Sequence, residues 1–135
     1  MDLSGDWTGV YDYGGDGPDA VPFTATLIDV GGVIWGDTQE PNSFAPSAGP
    51  ELIAEISGTR SGAELRFRKA YLGNPEGGDD PIHYAGHVSA GGKRIEGRWR
   101  INAPGGAIGG PFVMTRIGGV AVSRGLSRKA AVTVS

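Results

Sequence analysis

A chain of 135 residues with 39% apolar side chains is large enough to bury a core of its own as one soluble domain. Its lack of cysteine excludes a disulfide framework, thiolate-bound zinc and thiol nucleophiles, and its 25 glycines without a collagen-like period favour turns and kinked strands over long helices. The net charge of −3 conceals an asymmetry: residues 1–59 hold ten acids and no Lys or Arg, whereas residues 60–135 hold five acids and all twelve bases. That division fits two differently charged walls of one fold, and it can also steer a ligand or pair two subunits.

No cationic segment followed by an apolar run opens the chain, and no apolar stretch reaches the ~20 residues of a membrane span. A cytoplasmic location without membrane attachment is therefore expected. Period-two alternation, broken by glycine turns, predicts strands in chain order over 6–13, 21–30, 33–39, 51–58, 63–72, 82–88, 94–101 and 110–116. Short turns at 30–33, 58–63 and 88–93 alternate with longer connections at 14–20, 40–50, 73–81 and 102–109.

Pairing outward from the short turns sets Leu27 against Gly36, and Ile56, Ala54 and Leu52 against Leu65, Phe67 and Lys69. It also sets Gly86, Tyr84 and Ile82 against Ile95, Gly97 and Trp99, so that Tyr84 covers a cross-strand glycine. Opposed residues share a sheet face, and in each hairpin the apolar sets fall together. The resulting fold class is all-β: an eight-stranded antiparallel up-and-down barrel over residues 1–116, with a two-sheet sandwich as the competing arrangement. One barrel end is tight and the other carries four long loops. Residues 117–135 form a basic tail, with three bases and no acid, whose composition suits an appendage, a short helix or an added strand.

Trp7 starts the first strand and Arg116 ends the last, so closure brings the guanidinium over the indole at the tight end, while Gly5 leaves room for the chain to cross the barrel floor. With "GDW" on the first strand and "MTR" closing the last, the chain resembles the calycin superfamily of lipocalins, fatty-acid-binding proteins and avidins. The resemblance rests on Gly5, Trp7 and Arg116 and on the strand rhythm over 5–116. It implies an eight-stranded barrel with a small-molecule cavity. The chain departs from lipocalins in showing no convincing helix after the last strand, and from fatty-acid-binding proteins in having too short a segment at 14–20 for a helix pair. Avidins come closest in loop economy, but "GVYDYGG" stands where they bind biotin. Like the haem-binding nitrobindins the chain offers histidines, yet His83 and His87 both fall on the outer face. No cofactor is expected.

Toward the long-loop end lie Tyr11, Tyr13, Lys69, Tyr71, Ile82 and Trp99, aromatic walls with polar tips and one ammonium, the mixture a small-molecule pocket uses. Tyr11, Tyr13, Lys69, Tyr71, Tyr84 and Trp99 are the six candidate ligand-binding residues. Lys69 must reach water, pair with an acid, or meet an anionic ligand, and a catalytic amine of lowered pKa is the remaining reading. Asp16, Asp19, Glu40, Glu76, Asp79 and Asp80 are loop acids around the mouth, most of them solvated, and "EGGDD" lacks the spacing of a calcium loop, so no metal site is assigned.

The outer face carries Arg66, Arg68, His83, His87, Arg98 and Arg100 without exposed aromatics between them, and Glu55 is placed opposite Arg66, which argues against a nucleic-acid surface. His83 and His87 lie ~13 Å apart along a strand, too far to share a metal. Ile28, Val33, Trp35 and Ile53, with Val30, form an outward apolar cluster assigned to a homodimer interface, unless a bulge turns Trp35 inward. No nucleophile elbow, P-loop, dinucleotide fingerprint or zinc-protease motif is present, and no catalytic residue is assigned. The leading expectation is a barrel binding a small, partly apolar molecule. A cyclase- or isomerase-like barrel enzyme and an interaction barrel with a filled interior are the alternatives.

Overall fold

The computed structural model describes residues 1–14, 19–41, 51–72, 81–103 and 105–118. Eight strands, β1 (Gly5–Tyr11), β2 (Val21–Val30), β3 (Val33–Pro41), β4 (Glu51–Ser61), β5 (Glu64–Tyr71), β6 (Ile82–Val88), β7 (Arg94–Ala103) and β8 (Gly106–Gly118), follow one another around a closed antiparallel barrel. The described residues contain no helix, and hence none long and apolar enough to cross a membrane. Closure is made by β1 against β8, with Trp7 opposite Arg116, Gly9 opposite Met114 and Tyr11 opposite Phe112. A barrel, not a sandwich, forms because every strand then pairs on both sides and no edge remains open.

The 30–33 turn has the expected register, Leu27 facing Gly36. Two other registers differ. The β4–β5 hairpin closes on Gly62 and Ala63 between Ser61 and Glu64, so Ile56 meets Lys69, Ala54 meets Tyr71 and Gly58 meets Phe67. Gly62 has φ 59°, which a two-residue hairpin turn requires. In β6–β7, Gly86 meets Gly97 and Tyr84 meets Trp99, so Tyr84 does not lie opposite Gly97. Both slips are even numbers of residues, and an even slip leaves every side chain on its own face. The inward set therefore survives the wrong pairings.

The expected loop at 102–109 is instead the end of a long hairpin, with Ala103 paired to Gly106 and Arg100 to Gly109. Its glycines resemble a loop in sequence, yet a Cβ on Gly110 would run into the Asp12 carbonyl oxygen, so this strand needs glycine where another chain segment presses against it. The wide end thus carries three long connections and one hairpin.

The tight half of the core is largely aliphatic, with Leu3, Leu27, Ile34, Leu65, Val88, Ile95 and Met114 packed with Trp7. Residues before β1 cross beneath it. Gly5, at φ 145°, makes the turn into the strand in a conformation that side chains oppose. Trp7 donates its indole N–H to the Leu3 carbonyl at 3.0 Å, and the Arg116 guanidinium lies 5.1 Å from the indole centroid while donating to the Asp2 and Ser4 carbonyls. Asp29 ties the same segment down. It accepts from Leu3 N, Gly32 N and Arg60 Nε, the last at 2.9 Å. Burial alone would raise the Asp29 pKa, but the Arg60 and backbone hydrogen bonds outweigh it and hold the carboxyl below its ordinary value.

Candidate functional site

The long-loop half of the interior is aromatic and encloses a charged cluster. Gly36, Thr38 and Glu40 alternate inward along β3, as do Phe67, Lys69 and Tyr71 along β5. Lys69 Nζ donates to Glu40 Oε1 at 2.6 Å, with the two side chains 1% and 0% exposed. Tyr71 donates its hydroxyl to the same oxygen at 2.7 Å, and Tyr11 donates to Oε2 at 2.6 Å. The ammonium also lies over aromatic rings, 4.8 Å from the centroids of Tyr11 and Tyr71, 5.7 Å from Phe23 and 5.8 Å from Tyr84. One carboxylate therefore gathers three donors, and one lysine is boxed by four rings.

Burial pushes the Lys69 pKa down, and Glu40 opposes it through charge and hydrogen bonding. Burial, followed by the Glu40 carboxylate, pushes Tyr11 well above the ordinary phenol range, and burial with Glu40 and Tyr11 does the same for Tyr71. Burial also raises Tyr84 and Tyr13. The phenols thus remain donors, and the cluster serves to hold charge and orientation. Stability has a corresponding pH dependence. A phenol whose folded pKa is raised stabilises the fold fully below its unfolded pKa, near 10.0, and that contribution is lost as pH rises beyond it. Lys69 acts in the opposite sense just below 10.5, because the unfolded chain there binds its proton more readily. Tyr11, Tyr71 and Tyr84 are raised far enough that at most the half-buried Tyr13, of the chain's four tyrosines, should ionise while the barrel stays folded, and the remaining phenolate absorbance should rise only together with unfolding. A full phenolate step near pH 10 with unchanged circular dichroism would show that water reaches these rings.

Of the six residues expected to line a site, Tyr11, Tyr13 and Trp99 meet at ring separations of 5.1 to 6.1 Å, and Tyr11 and Tyr71 join Lys69 through Glu40. Trp99 donates its indole N–H to the Asp12 carbonyl at 2.8 Å. Tyr84 belongs to the packed layer below, stacked on Phe67 at 4.6 Å and edge-on to Phe112 at 4.9 Å. Tyr13 and Tyr71 are half-buried and form the upper surface. The rings themselves occupy the space around Lys69. One inward step along β3 from Glu40, the buried Thr38 hydroxyl has no hydrogen-bond partner among the described residues.

Glu40 is the member the sequence reading placed wrongly, as a loop acid. Ending the strand at residue 39 hid it, whereas continuing the Gly36, Thr38 alternation by one step sets it on the face that meets Lys69. Asp19 is exposed, and Asp16, Glu76, Asp79 and Asp80 lie outside the described residues. No three His, Asp or Glu side chains among the described residues lie close enough to hold a metal ion.

No protein-family model matches this chain, and no curated protein shows significant similarity to it. The site stands on its own geometry.

On the outer wall, Trp35 is 41% exposed and no bulge turns it inward, while Val33 and Ile53 are 54% and 44% exposed and Ile28 is half-buried beside Trp35. Glu55 does not face Arg66. It lies opposite Ala70 and Asp37, and Arg66 lies opposite Thr59, because the β4–β5 register moves them apart. His87 pairs with Glu64 at 3.0 Å on the surface.

Proposed function

We propose that this chain is a calycin-like barrel that binds a small, partly apolar molecule at its long-loop mouth. The ligand rests on Tyr13 and Tyr71, with the buried Trp99 packed behind Tyr13 and with Tyr11, Glu40 and Lys69 beneath as a polar floor. The observation that carries this reading is the ion pair of Glu40 and Lys69, enclosed by rings at the wide end of the barrel. Stability alone gives little reason for it, since apolar packing in place of a buried pair is often neutral or stabilising by ~1–4 kcal/mol. Buried, perturbed ionisable groups are a physical mark of a functional site. The Thr38 hydroxyl beside the cluster, without a partner among the described residues, supports the same reading, because a buried polar group is ordinarily satisfied by something. Trp7 under Arg116, with Gly5 at the turn, supports the calycin likeness.

Native mass spectrometry of the protein isolated from its own host tests this. A retained small molecule is expected, and Tyr71→Phe, which keeps the ring and loses one donor to Glu40, should weaken its retention. Bare protein under gentle ionisation, with no added mass in any preparation, would leave the filled interaction barrel. The same spectra count copies. The exposed cluster of Val33, Trp35 and Ile53, with Ile28 at its margin, supports a homodimer, which would appear at twice the chain mass.

A further inference from the structure

A second site lies on the opposite side of the wall, away from the mouth cluster. The β5, β6 and β7 strands set Arg66, Ala85 and Arg98 in one row across the sheet, and Arg68, His83 and Arg100 in the next. The rows are two residues apart, so the four arginine Cα atoms mark a rectangle of about 7 by 10 Å. All four side chains are exposed and point outward. Ala85 lies between Arg66 and Arg98, and Ala107 and Gly109 follow on the neighbouring β8; these small residues leave a surface hollow of about 650 Å³, whose lining includes the four arginines, His83 and Ile108.

The electrostatics of this hollow are lopsided. Among the described residues none of Arg66, Arg68, Arg98 and Arg100 has an ion-pair partner. The acids one row toward the tight end are already engaged, Glu64 with His87 and Glu96 with Arg94. Glu55, which the sequence alone would bring against Arg66, lies opposite Ala70 instead, diagonal to Arg68 and not ion-paired with it. Four guanidiniums on a rigid sheet, repelling one another around a small-molecule-sized depression, make a cradle for an anion.

We propose that this hollow binds a small molecule bearing a chain of linked phosphate groups. Guanidinium forks pair bidentately with tetrahedral oxyanions, and four of them converging on one depression match several phosphates better than a single carboxylate. The hollow has no exposed aromatic ring on its rim, so it lacks the stacking platform a single-stranded nucleic acid would use. The volume also suits a compact ligand better than a long polymer.

Calorimetry with inorganic tripolyphosphate as the probe, at physiological salt, tests the site. One ion should bind per chain, and Arg68→Ala and Arg100→Ala should each weaken it about tenfold or more, as expected for the loss of a charge-assisted hydrogen bond. Arg68→Lys should restore only part of the loss, because an ammonium keeps the charge without the fork. Arg94→Ala, outside the hollow, should change binding little. Unchanged circular dichroism confirms that these surface variants are folded. A nucleoside triphosphate binding more tightly than tripolyphosphate would locate the phosphates on a nucleotide and support the proposal. No binding of tripolyphosphate, equal loss in Arg94→Ala, or binding only of a thymidine oligonucleotide or of phosphatidylserine vesicles would overturn it.

Discussion

Replacing Lys69 with Met should destabilise the barrel by ~3–5 kcal/mol, the usual consequence of leaving one member of a buried ion pair uncompensated. The lower end of that range is expected, because Tyr11 and Tyr71 still donate to the stranded Glu40 carboxylate. The decisive comparison is the double variant Lys69→Met with Glu40→Leu. It removes both charges and should recover most of the lost stability, even though each single substitution is costly. Glu40→Gln should behave like Lys69→Met, since it leaves an ammonium surrounded by rings with only a neutral acceptor. Urea denaturation of the wild type, Lys69→Met, Glu40→Leu and the double variant gives the coupling directly. If the double variant were as unstable as the sum of the singles, the two side chains would not form one electrostatic unit.

Trp7→Ala should cost a further ~3–5 kcal/mol by a different mechanism, the loss of a large, fully buried ring and the cavity left behind. The Trp7 site also holds the barrel floor together. The indole N–H binds the Leu3 carbonyl, and the ring face receives Arg116, whose guanidinium grips the Asp2 and Ser4 carbonyls. Amides of the first four residues should therefore lose hydrogen-exchange protection first. A double-mutant cycle with Arg116→Met should give a coupling of ~0.5–2 kcal/mol for the cation over the ring. A coupling near zero would mean that Arg116 acts only through its carbonyl partners and that Trp7 serves purely as packing.

The accuracy of the inward set came from parity. A strand alternates its side chains, so Tyr11, Phe67, Lys69, Tyr84 and Trp99 share the interior whichever even register their hairpins adopt. The pairings themselves depended on turn length, which glycine-rich stretches such as "GTRSGA" leave open. Glu40 shows the cost of a boundary error: two residues of strand separate a solvated loop acid from the centre of a buried cluster. Gly109 and Gly110 show the reverse error, since glycines that satisfy a close backbone approach look like glycines that make a loop.

Alternation and turn spacing determined eight antiparallel strands in meander order, and the placement of Trp7 and Arg116 favoured end-to-end closure over a two-sheet sandwich, which the β1–β8 pairing then decided. They act locally, or through the single constraint that neighbouring strands leave no open edge. Only the tertiary structure decided that Glu40 would reach Lys69 from two strands away, and that Glu55 would miss Arg66, one of four outer-face arginines without an ion-pair partner among the described residues. Those partnerships are set by register and by the curvature of the closed wall, which bring together residues that no local pattern connects.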